Sequence, residues 1–137
     1  MAPVIILTDS SAYLQASLVS SLPIQVIPLT LNWDGQTYRD GVDIQAAEFY
    51  QRLSISKSLP STSQLSAGEV ETTISALLAQ GYHVLMLPIS SGISSTYQTA
   101  AGILQHFPAD QVALLDTRLV SMALGFQVLA AARAAAE

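Results

Sequence analysis

Cysteine is absent from the 137 residues, which excludes disulfides, thiolate metal sites and a cysteine nucleophile. Charge is scarce: five Lys and Arg face ten Asp and Glu, 11% of the chain where about a quarter is usual. The basic residues Arg39, Arg52, Lys57, Arg118 and Arg133 stand singly and the net charge is −5, which argues against nucleic acid or an anionic membrane as partner. Neither GxGxxG nor a GxxxxGK phosphate loop occurs, so nucleotide binding has no motif behind it. The longest apolar stretch, LVSMALGFQVLAAARAAA, is interrupted by Gln127 and Arg133 and predicts no membrane span. The opening MAPVIILTDSS lacks a basic n-region and is not expected to be a signal peptide. These absences predict a soluble cytoplasmic protein.

Half of the chain is apolar, on a length that suits one domain. So lean a charged surface implies tight packing, or an apolar face that meets a ligand, another lobe or another chain. Along the chain, apolar β-branched runs alternate with helical spacing. VIILT at 4–8, IQVIPLTL around 25–31, HVLMLP from 83 and VALLD from 112 read as strands of one sheet. Asp34-Gly35 predicts a hairpin near 29–39. Helices are predicted over 12–21, 44–54, 66–80, 95–106 and the C-terminus. The one opening at Ser66 carries a capping box with Glu69 and stops at Gly81. The alternation predicts an α/β fold with a mostly parallel sheet flanked by helices. Loops 8–11, 88–94 and 116–118 then share the sheet's carboxyl edge, where ligands bind in such folds.

The densest candidate is PISSGISSTYQTA, residues 88–100, with five hydroxyls around Gly92 at a strand-to-helix junction. A serine nucleophile there needs a histidine. His83 stands at the far end of the preceding strand, about 16 Å away by strand rise. His106 lies about 18 Å down the following helix from Ser94. Serine hydrolysis is therefore disfavoured. Asp9, at the end of the first strand, could be the nucleophile or magnesium ligand of a small phosphoryl-transfer enzyme. Its partners are wrong for that: Ser11 stands where a second carboxylate is needed, and the single lysine, Lys57, is in a loop. Asp40, Asp43 and Asp116 have no metal-site spacing. A helix cap or loop-ordering role suits Asp9 better. What remains is holding an anion. Ser61-Thr62-Ser63-Gln64 before one helix and Gly92-Ile93-Ser94-Ser95-Thr96 before the next would offer hydroxyls beside helix N-terminal amides.

TDSSAYL, VIPLTL, YRDGVDI followed by EFY, STSQLS, SSGISSTYQTA and LDTRLVSMALG stand in the order and spacing of the DegV family, which this chain resembles along nearly its whole length. The resemblance implies a bacterial, Rossmann-like domain that binds a long-chain fatty acid, is not itself an enzyme and needs no cofactor. It implies presentation of the acid to the ATP-binding subunit of a fatty-acid kinase, with the acyl phosphate carried as product. The family's head-group residues fall on Thr62 and Ser94, with Ser63, Gly92, Ser95, Asp9 and Ser10 as possible support. Three motifs depart from the family pattern: Leu65 follows TSQ, Ser95 stands where LSGT has glycine, and Thr117 follows Asp116. Family members are about twice as long, so the chain is expected to be the N-terminal domain alone, 1–137, without the second lobe that closes over the acyl chain.

Overall fold

The computed structural model describes residues 2–137. Four strands form a wholly parallel sheet: β1 (Val4–Asp9), β2 (Ile24–Ile27), β6 (His83–Leu87) and β7 (Val112–Leu114), in the order β2-β1-β6-β7. Three more form a small antiparallel sheet, β4-β3-β5: β3 (Thr30–Trp33), β4 (Gln36–Arg39) and β5 (Ser61–Ser63). The helices are α1 (Ala16–Ser21), α2 (Ala46–Ile55), α3 (Ala67–Ala79), α4 (Thr96–Leu104) and α5 (Ser121–Ala135).

β1 shows why the large sheet is sandwiched. Its side chains alternate between faces, so Leu7 enters one core with Ile74, Met86 and Ala100, whereas Ile6 enters another with Leu87, Leu124 and Val128. α3 and α4 close the first face and α5 the second. The apolar runs of β1 and β6 are continuous because both faces of a parallel sheet are buried.

Helix ends follow the sequence where chemistry forces them. The Ser66 hydroxyl accepts from the Glu69 amide at 3.1 Å, the N-cap half of the expected capping box, and donates to the Glu69 carboxylate at 3.0 Å, so that carboxylate meets the hydroxyl rather than the Ser66 amide. Gly81, at φ +86°, ends the turn after α3. Asp34 and Gly35, both at positive φ, link β3 to β4 with Trp33 opposite Gln36, the expected two-residue hairpin.

Three expectations change. The run at 25–31 is two strands in two sheets, because Pro28 has no N–H for a ladder and the chain turns there. The predicted helix at 12–21 shrinks to α1, preceded by a 3-10 turn at Ser10–Ala12 that Tyr13, at φ +57°, terminates. The loop before Ser66 contains β5, too short and too polar to read as a strand from the sequence.

Candidate functional site

The strand order places β2 on one side of β1 and β6 with β7 on the other, so the winding of the sheet reverses between β1 and β6 while the strands stay parallel. Ligand crevices of open α/β sheets form at that switch, outside the carboxyl ends. Asp9 spans it. One carboxylate oxygen accepts the Ser11 amide at 3.0 Å, the other the Ile89 amide at 2.7 Å, and the residue is wholly buried. Beside it the Thr8 hydroxyl donates to the Leu87 carbonyl at 2.7 Å. With both oxygens so engaged, Asp9 staples the loop after β1 to the loop after β6. Among the described residues no three His, Asp or Glu side chains gather as a metal site.

The loop after β6 is built around Ser90. Its amide donates to the Leu119 carbonyl at 3.0 Å and its hydroxyl accepts the Gly92 amide at 3.1 Å. Its carbonyl takes the amides of Ile93 at 3.0 Å and Ser94 at 3.1 Å. Asp116, after β7, accepts the Ser91 hydroxyl and, at 3.0 Å, the Arg118 amide. The Ser91 hydroxyl, with the Arg118 and Ser91 amides behind it, holds the Asp116 carboxyl below its ordinary range. Three loops are thus tied along one rim. The expected residue Ser94 stands half-buried there, accepting the Thr96 amide at 3.2 Å and sharing a 2.9 Å bond with the buried Thr96 hydroxyl. Ser94, and not the adjacent Ser95, supplies the cap bond of α4. The Gly92 amide is already used by Ser90, and a Cβ there would meet only ordinary contact, 3.4 Å from the Ser90 hydroxyl.

Thr62 is carried by the small sheet and not by the loops of the large one. β3 follows β2 beyond its carboxyl end, and β5 pairs with β3 so that Thr62 stands opposite Leu31 and shares its face. Thr62 is exposed. Ser63 points to the opposite face by alternation and accepts from the Asn32 amide nitrogen at 2.7 Å. Ser10 takes a structural part, its hydroxyl accepting the Leu29 amide at 3.0 Å where the two sheets join. The motif reading singled out the stretch that holds Ser90 and Ser91 without giving them a role, and it missed the apolar side chains exposed on these loops: Tyr13, Ile93, Leu115 and Val120. Sequence signalled these only through the excess of apolar residues. Two surface concavities, of about 460 and 510 Å³, lie elsewhere and include neither Thr62 nor Ser94.

This is an α/β architecture with a polar, hydroxyl-lined rim at its switch point. The DegV family model, described as an uncharacterised protein family, matches residues 3–137, and the chain belongs to that family. A DegV domain-containing protein of Streptococcus pneumoniae is 37% identical over 124 residues, covering 90% of this chain and 44% of that protein. A fatty-acid-binding DegV family protein from Thermus thermophilus superposes with a TM-score of 0.86 at 34% identity, over 96% of this chain and 46% of the other. DegV of Bacillus subtilis, a fatty acid binding protein, gives 0.87 at 29% identity, over 97% and 47%. The chain spans about half the length of the relatives it matches. Among the described residues no helix is long and apolar enough to cross a membrane.

Proposed function

We propose that this chain supplies the head-group half of a fatty-acid site, with the carboxylate held between the Thr62 and Ser94 hydroxyls and the opening amides of α4. The observation that carries the reading is a hydroxyl-bearing rim with no buried cation among the described residues, edged by exposed apolar side chains, at the switch point of the sheet. A carboxylate suits hydroxyl and amide donors, and an acyl tail suits Tyr13, Ile93, Leu115 and Val120. The named ligands of the structural relatives support the same chemistry. The rim covers a tail on one side only, so a further lobe or another chain completes the acyl channel in this proposal. The bound acid is then presented, in the cytoplasm, to the ATP-binding subunit of a fatty-acid kinase and carried as the acyl phosphate.

The test is palmitate binding in a context where the acyl channel is complete, comparing Thr62→Ala and Ser94→Ala. A charge-assisted hydrogen bond contributes about 1.5–3 kcal/mol, so each change is expected to weaken binding roughly tenfold or more. Thr62→Ala is expected to leave the fold intact, because its side chain is exposed. Wild-type affinity in both variants would rule out this pair as the head-group clamp.

A further inference from the structure

The small sheet has a core of its own. Leu31, Trp33 and Ile44 are buried against Tyr38, Phe49 and Leu53, and none of these belongs to either core of the large sheet. Its polar fastening is also internal. The Trp33 indole N–H donates to the Ser56 and Ser58 hydroxyls, and Arg52, stacked 4.4 Å from the Trp33 ring centroid, bonds Asp34 and Tyr38. α2, which covers it, has no fully buried residue.

Its attachments are few. At one end Pro28-Leu29 enters from β2, with the Leu29 amide donating to Ser10 and its carbonyl accepting the Asp40 amide at 2.9 Å. At the other, Leu65 is buried in the core under α3, two residues after β5 ends. Between them Tyr50 of α2 meets Tyr13 of the large sheet's rim. Thr62 is carried by one unit and Ser94 by the other.

We propose that the small sheet with α2, residues 30–63, is a separately hinged unit that moves on Leu29 and Leu65, and that a ligand bridging Thr62 and Ser94 locks it to the large sheet. The locking half rests on the fatty-acid reading above; the hinged unit does not. A segment with its own core and few shared contacts opens at lower free energy than the main core. Its opening would admit an acyl chain past the rim without disturbing the large sheet.

Amide hydrogen exchange on the full 137-residue chain tests this. Without ligand, the ladder amides of β3 and β4 are expected to exchange at least about tenfold faster than those of β1 and β6. Trp33, the single tryptophan, offers a second readout: its fluorescence should change at lower urea than the far-UV circular dichroism of the helices. Equal protection in the two sheets, or coincident urea transitions, overturns the hinged unit. Palmitate is then added in a context where the acyl channel is complete, its binding followed separately by retention on a gel-filtration column. Slowed exchange in β3 and β4 with little change in β1 supports locking. Palmitate retained without slowing overturns locking and leaves the fatty-acid reading standing. Palmitate not retained removes both locking and that reading, while the ligand-free comparison still decides the hinge.

Discussion

The parallel sheet is covered on both faces by helices, and its β1 residues Ile6 and Leu7 are almost completely buried in two different cores. The antiparallel sheet buries one face only, and all three residues of β5 are exposed. Where the first is held by apolar area, the second depends on a stacked Arg52, an indole hydrogen bond and a two-residue turn. The candidate head-group residues are divided between them. Ser94 sits on a rim tied by Asp9 and Asp116, whereas Thr62 sits on a short edge strand. In the proposed site, Ser94 would lie on a rigid wall and Thr62 on a compliant one.

Core truncation should expose that contrast most strongly. Ile74, wholly buried against the large sheet, should lose about 2–5 kcal/mol of global stability as Ile74→Ala. Ile44→Ala deletes a comparable buried side chain, yet its urea midpoint by far-UV circular dichroism should move less than half as far, with the loss appearing in Trp33 fluorescence. Equal shifts in both signals would merge the two units into one.

Gly125 comes next. α5 passes so close to the loop after β1 that a Cβ on Gly125 would lie 2.6 Å from the Ala12 carbonyl oxygen. Gly125→Ala must push the helix away and should cost about 1–3 kcal/mol, read in the same unfolding experiment. A neutral substitution would mean that α5 shifts freely and that this wall is not rigid.

Asp9→Asn should cost about 1–3 kcal/mol, because the amide nitrogen can accept from neither backbone N–H and leaves one buried donor unpaired. Chemical shifts near Ser11 and Ile89 should move while those of β3 and β4 stay. A phosphatase activity lost in this variant would instead revive the enzyme reading.

The smallest effect concerns pH and the turn after β4. The Arg39 side chain, and then its backbone amide, lower the Asp43 carboxyl from 3.8 to about 2. A folded-state value below the unfolded one gives stability that is present above pH 3.8 and lost as pH falls towards 2. The salt bridge is exposed, so the loss should be slight and confined to this turn. Asp43→Asn should remove that part of the acid sensitivity, followed by the amide shifts of Arg39 between pH 5 and pH 2.

Much of this was legible in the residues themselves. Period-two burial, the Asp34-Gly35 turn, the Ser66 capping box and the six motifs in order sufficed for the α/β class, the hairpin and the family, since each depends on neighbours a few positions apart. The same local information went wrong at 25–31 and 12–21. There, strand and helix propensity ran on through Pro28 and Tyr13, where the backbone turns. Tertiary structure alone decided that β5 exists, because three polar residues become a strand only when β3 offers them a ladder. It also decided that Asp9 is a staple between loops, that Ser63 faces away from Thr62, and that Thr62 and Ser94 are carried by different sheets. These are relations between segments up to 80 residues apart. Long-range pairing sets them, and no spacing along the chain encodes which hydroxyl ends beside which.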